Sequence, residues 1–138
     1  MPEESTAPDP VALVRLFVDA ASARDLDAMT LCFAPDAVWD VQEWGKHEGH
    51  QAIREFFEGW WGGYDELTME AEEILDMGNG VVFAVMVQEG RLSGSSHLIA
   101  WRSGMASVSV DGVLASVRNY TSPSAARAAA ERLAEERG

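Results

Sequence analysis

The chain has 138 residues, of which 47% are hydrophobic and 24% charged, and its 23 acidic against 10 basic side chains give a formal net charge of −13. This length and composition predict one domain with a real core and exclude a disordered chain. The negative charge disfavours nucleic acid and membrane surfaces as partners, because both repel an acidic protein. Without a secretory leader pattern or an apolar run near the ~20 residues of a membrane helix, we expect a cytoplasmic protein.

The first half of the chain predicts a tail, three helices and one strand. Residues 1–9 read as a flexible tail, and Asp9 and Pro10 are the residue types of a helix cap and first turn. Asp25 is the predicted cap of the second helix. The predicted elements are a helix at 10–22, a short helix from Leu26, a strand at 37–41, a loop at 42–49 and a helix at 51–61.

The second half changes to the two-residue period of strands. The predicted elements are strands at 67–77 and 81–87, a turn or bulge at 91–96, strands at 97–110 and 113–120, and a helix after Ser122-Pro123. We also expect a bulge at Ser103-Gly104. Helices followed by a run of strands predict an α+β fold over residues 10–138, in which a curved antiparallel sheet wraps the helices as a cone with one open mouth.

Three segments resemble the SnoaL-like branch of the NTF2-like superfamily. They are Arg-Asp-Leu-Asp-Ala at 24–28, Phe-Ala-Pro-Asp-Ala-Val-Trp at 33–39 and Gly-His-Gln-Ala-Ile-Arg-Glu-Phe-Phe at 49–57. Asp111-Gly112, Tyr120 and the alanine-rich end extend the resemblance over about residues 10–130. It implies the cone fold, a cavity for a small molecule and a homodimer through the outer sheet face. The superfamily includes ketosteroid isomerases, polyketide cyclases, limonene-epoxide hydrolases, dehydratases and binding domains, so the fold does not select an activity.

The catalytic patterns of these relatives are not matched at the positions that align. The base of ketosteroid isomerases falls on Val41, one residue after Asp40, and their tyrosine falls on Phe17. Their second acid falls near Gly104. An acid of the epoxide hydrolases falls on Asn119, and an amide cannot take a proton from water at neutral pH.

The candidate catalytic residues are therefore Asp40, His97 and Asn119. Asp40, next to Trp39, is either a general acid or base or an exposed acid at a strand end. His97 is either a cavity acid or base or a structural histidine. Asn119 is expected to form hydrogen bonds inside the cone. Glu73 points into the cone if its strand is regular, and outward if a bulge occurs at 72–73.

Aromatic residues supply most of the predicted ligand-binding site. The set is Trp39, Trp44, Phe57, Trp60, Trp61 and Trp101, together with Glu73. These side chains either stack on a ligand or form core and dimer contacts. Trp60 and Trp61 are adjacent and cannot share a helix face. We predict no metal and no cofactor, because His47-Glu48-Gly49-His50 lacks zinc spacing and no phosphate loop occurs. The lone Cys32 is predicted to be a buried, inert thiol.

Three hypotheses follow for the function. The first is an isomerase, cyclase or hydrolase that uses acid–base chemistry on a small apolar or aromatic molecule. The second is a non-catalytic protein that binds such a molecule, and the third is a protein-interaction domain. Between Asp36 and Glu89 there are 13 acidic and two basic side chains, a net charge of −11. This concentration favours a neutral or cationic ligand.

Overall fold

The computed structural model describes residues 9–138, so the predicted tail lies, except for Asp9, outside the described residues. The described chain has four helices, six strands and a 3₁₀ turn at Gln42–Trp44. The elements are α1 (Pro10–Ser22), α2 (Leu26–Leu31), β1 (Phe33–Asp40), β2 (Lys46–Glu48), α3 (Gly49–Gly62), β3 (Tyr64–Gly78), β4 (Val81–Leu92), β5 (Leu98–Val110), β6 (Val113–Tyr120) and α4 (Pro123–Arg137). The predicted α+β class is confirmed.

Three helices begin at the residues that the sequence predicts. The carboxylate of Asp9 accepts a hydrogen bond from the backbone N–H of Ala12 at 2.8 Å, and Asp25 accepts one from Ala28 at 3.0 Å. Ser122 caps α4 in the same way. Each cap satisfies a backbone donor that has no partner within the helix.

The six strands form one curved sheet in the order β2-β1-β6-β5-β4-β3. All neighbouring pairs are antiparallel except β1 and β6, which are parallel. The expectation of a wholly antiparallel sheet is therefore wrong at this pair. Strand β2 lies within the segment predicted as a loop. It was missed because three residues are too short for a periodic pattern.

The bulge predicted at Ser103-Gly104 is also wrong. Strand β5 pairs with β4 without a shift there, and the irregularity against β6 lies between Val108 and Ser109. Gly104 instead allows α4 to approach the sheet. A Cβ atom at this glycine would lie 2.5 Å from the Cβ of Ala126.

The two faces of the sheet bury separate clusters, because successive side chains of a strand point to opposite faces. On the inner face, Val82, Ala84 and Met86 of β4 pack with α1 and α3. On the outer face, Val81 and Phe83 pack against the alanines of α4. Strand β3 is an edge strand and carries exposed acids, which oppose pairing with another sheet.

Within residues 9–138, no helix combines the length and apolar character that crossing a bilayer requires.

Candidate active or ligand-binding site

A cavity of about 1150 Å³ lies on the inner face of the sheet, beyond the closed part of the core. This volume is slightly above the range of about 300–1,000 Å³ that small-molecule sites usually occupy. Aromatic side chains from α1, β1, the 3₁₀ turn, α3, β3, β5 and β6 line it. They are Phe17, Trp39, Trp44, Phe56, Trp60, Tyr64, Trp101 and Tyr120.

The aromatic rings form two pairs that are close to parallel. The centroids of Phe56 and Trp60 are 6.4 Å apart with an angle of 29° between the planes. Those of Tyr64 and Trp101 are 6.0 Å apart at 32°. Gly90 makes room for the second pair, since a Cβ there would lie 2.8 Å from the ring of Tyr64. Such rings present flat apolar surfaces to a ligand.

Helix α3 supplies both core and cavity residues because its side chains form two adjacent stripes. Ile53, Phe57 and Trp61 recur at four-residue spacing and are buried in the core. Phe56 and Trp60 form the neighbouring stripe, which lines the cavity. The prediction that Phe57 and Trp61 line the site is therefore corrected. Residues that are four positions apart lie on the same face of a helix, so Phe57 and Trp61 belong to the core stripe, whereas Phe56 and Trp60 belong to the stripe beside it.

Methionines and three uncharged polar residues from the sheet line the opposite side. Gln88 of β4 is 4% exposed and Ser103 of β5 is 6% exposed. The hydroxyl of Ser103 donates a hydrogen bond to Oε1 of Gln88 at 3.1 Å. Asn119 of β6 is half-buried and also lines the cavity. Gln88 and Ser103 were not predicted as site residues. Gln88 could have been found from the strand alternation, because it follows residues 82, 84 and 86 on the inward-facing side of β4.

Asp40 lies at the end of β1 and lines the cavity. Its carboxylate accepts a hydrogen bond from the backbone N–H of Gln42 at 3.0 Å. The carboxylate thereby stabilises the turn, where Gln42 has a φ of 54°. Asp40 is also the register partner of Lys46 across β1 and β2, and Lys46 lines the cavity too.

Two predicted site residues lie outside the cavity. His97 is exposed, before the start of β5, and its backbone N–H is bonded to the hydroxyl of Ser95 at 3.1 Å. Glu73 is exposed on β3 after a register shift between Ala71 and Glu73. Of the two alternatives for Glu73, the structure therefore has the bulge, which turns the side chain outward. Asp40, Asn119, Trp39, Trp44, Trp60 and Trp101 are the predicted residues that the structure brings together.

Most of the negative charge of the middle of the chain lies away from the cavity. Among the side chains that the structure describes, the charged lining residues are Asp40, Lys46 and Arg102. Arg102 forms an ion pair with Glu72, and the acids of β3 are all exposed. The described lining therefore does not favour a cationic ligand. Across residues 9–138, no cluster of three or more potential metal-ligating side chains occurs.

Comparison with known families and structures agrees with this architecture. The model of the SnoaL-like domain matches residues 14–113, which is more than half of the chain. The chain belongs to the SnoaL-like domain family. No protein of curated function matches the sequence significantly.

Solved structures with the same fold include proteins that hold chemically different ligands. TerC, co-crystallised with polyporic acid, has a TM-score of 0.74 at 16% identity, covering 88% of this chain and 98% of that chain. A hypothetical protein of Catenulispora acidiphila with a ketosteroid isomerase-like fold, in complex with trimethylamine, has a TM-score of 0.74 at 17% identity, covering 89% and 92%. A proposed polyketide cyclase of Sinorhizobium meliloti has a TM-score of 0.67 at 25% identity, covering 78% and 93%. The NTF2-like fold implied by the sequence resemblance is confirmed.

Proposed function

We propose that this protein binds a planar, apolar aromatic molecule in the cavity of the cone. The aromatic wall carries the proposal, since eight aromatic side chains line one cavity in a chain with only 12 aromatic residues. Aromatic pairs contribute about 0.5–1.5 kcal/mol beyond the burial of their area. A flat ring system contacting several of them would gain affinity from each contact.

The size and charge of the cavity support an aromatic ligand over a small cation. A volume of about 1150 Å³ far exceeds a trimethylamine-sized ligand. Polyporic acid and trimethylamine are the ligands of two of the structural neighbours. Because Lys46 and Arg102 line the cavity with one carboxylate, the described part of the lining has no excess of negative charge to attract a cation.

Acid–base catalysis is the second candidate, because Asp40 is the one carboxylate among the described residues that line the cavity. A carboxylate at the edge of an apolar site is suited to accept a proton from a bound molecule. Asn119 would then hold the oxygen on which negative charge develops. A protein that only binds its ligand needs neither a proton acceptor at Asp40 nor a donor to a developing negative charge at Asn119.

Equilibrium dialysis against fluorene tests the binding proposal, with trimethylamine as the contrasting probe. We expect fluorene to bind and Trp60→Ala to weaken its binding about tenfold, since a stacking surface is lost. Leu31→Ala is the matched control, because Leu31 is 76% exposed and outside the cavity. The proposal would be contradicted if both variants lost the same affinity for fluorene, or if the wild type bound trimethylamine more tightly than fluorene.

Dimerisation and residence in the cytoplasm stay predictions. Helix α4 covers the outer face of β4 and β5, so a homodimer through this face would use β1 and β6 instead. Val38, Ser116 and Arg118 on that part of the sheet are half-buried. Sedimentation equilibrium measures the oligomeric state directly.

A further inference from the structure

Three uncharged polar side chains from neighbouring strands line the sheet side of the cavity in a diagonal line. We propose that Gln88, Ser103 and Asn119, here called the polar stripe, bind oxygen substituents of the ligand. The ligand class is then an aromatic ketone or quinone rather than a hydrocarbon. This inference rests on the proposed function and specifies its ligand.

The strand register places these residues on one face. Gln88 is the register partner of Trp101, and Ser103 is the partner of Met86. Ser103 and Gln88 are thus diagonal neighbours, which is within reach of their observed hydrogen bond. Asn119 is the partner of Met105 and so stands diagonally to Ser103. The polar stripe therefore runs across β4, β5 and β6, between methionines and the ring of Trp101.

The hydrogen bonds of the polar stripe leave amide donors unused. Ser103 donates to the Oε1 atom of Gln88, so this oxygen is satisfied. Among the side chains that the structure describes, none forms a hydrogen bond with the Nε2 atom of Gln88 or with the side-chain amide of Asn119. The Gln88 nitrogen is also not sealed from the cavity, unlike the indole nitrogen of Trp39. Two amide groups thus offer N–H donors to the cavity.

A buried amide without a partner is costly. Gln88 is 4% exposed, so a bound ligand that covered its amide without offering an acceptor would leave the donor unsatisfied, at a cost of about 1–3 kcal/mol. Most such groups in folded proteins have a partner from the protein, water or a ligand. An acceptor on the ligand, such as a carbonyl oxygen, would satisfy the amide while the aromatic wall contacts the ring.

The direction of the hydrogen bonds defines the specificity. The N–H donor at Nε2 of Gln88 forms a hydrogen bond with an oxygen acceptor of the ligand but not with a C–H edge. A site with buried polar groups rejects an analogue that lacks the matching group, because those groups then stay unpaired. The polar stripe should therefore distinguish two ligands of equal shape that differ by one oxygen.

Fluorene and 9-fluorenone are such a pair, since both are planar and differ by a carbonyl oxygen. We expect the Gln88→Met variant to lower the preference for fluorenone over fluorene about fivefold to tenfold in equilibrium dialysis. Ser103→Ala should lower this preference less, because the variant keeps the amide of Gln88 and loses only the hydrogen bond that fixes its orientation. Gln51→Met is the matched control, since Gln51 is exposed on α3.

The outcomes separate this inference from the proposed function. If wild type binds neither probe, both the binding proposal and the polar stripe proposal fail. If wild type binds both, and Gln88→Met weakens both equally or neither, then only the polar stripe proposal fails. Circular dichroism of each variant shows whether it is folded, and Asn119→Leu supplies an independent variant should Gln88→Met not fold.

Discussion

The two faces of the sheet follow the same alternation along the strands, yet one is closed and the other contains a cavity. On the outer face, α4 presents Ala126, Ala129 and Ala130, which have 0% exposure. These small side chains let the helix lie directly on the strands. On the inner face, α3 presents large rings, some of which are buried in the core while others line the cavity. The two faces are thus covered by helices with side chains of very different size.

Within the inner face, closed core and cavity adjoin on one helix. Phe57 is fully buried and contacts Trp39 with 4.9 Å between ring centroids. Trp60, three residues later, is half-buried and lines the cavity. Two substitutions on α3 can thus separate stability from binding.

The largest expected effect is that of Phe57→Ala. Removal of a fully buried ring should lower the free energy of unfolding by about 3–5 kcal/mol, because transfer energy and packing are both lost. Trp60→Ala should lower it by about 1–2 kcal/mol, since a half-buried ring loses less apolar area. Urea denaturation measures both values. Equal losses would show that the cavity wall is as tightly packed as the core.

The next effect concerns the close approach of α4 on the outer face. Gly104→Ala places a Cβ 2.5 Å from Ala126 Cβ and 2.9 Å from Pro123 Cα, so the helix must shift. We expect a loss of about 1–3 kcal/mol in urea denaturation. Gly62→Ala is the matched control, because a Cβ there meets nothing within 4 Å. If both variants were equally stable, the close contact with α4 would not restrict which residue can stand at position 104.

The smallest expected effect is a pH dependence from Cys32 in the inner cluster. The thiol is buried, and burial raises its pKa because the thiolate is poorly solvated. The folded pKa lies above the unfolded one, so the stability is fully present below the unfolded pKa of about 8.5 and decreases as the pH rises through the folded value.

A Cys32→Ala variant should show a shallower loss of stability above this pH than wild type. Thermal melting over a pH series compares the two proteins. Identical curves would mean that Cys32 is not protected from ionisation by its burial.

Much of the fold could be predicted because its signals are local. The caps Asp9, Asp25 and Ser122, and the turn at residues 78–80, act within a few residues of themselves. Two features could not be predicted in this way. The parallel pairing of β1 with β6 joins segments that are far apart in sequence, and Gly104 is explained by a helix about 20 residues later.

The candidate site was predicted in part. Trp39, Trp44, Trp60, Trp101, Asp40 and Asn119 do meet at the cavity. Phe57 and Trp61 do not, because four-residue spacing places them on the neighbouring core stripe of α3. His97 and Glu73 do not, because one precedes its strand and the other follows a bulge. Strand period alone cannot show where an irregularity reverses the face.

By itself, the sequence determined the α+β class, the order of the elements apart from β2, and a strongly acidic, aromatic-rich chain, since composition and periodicity act along the backbone. The tertiary structure alone decided where the charges and polar groups face. It placed the acids of β3 outside the cavity and brought Gln88, Ser103 and Asn119, from three strands, into one line. The physical reason is strand register, which depends on pairing between distant segments.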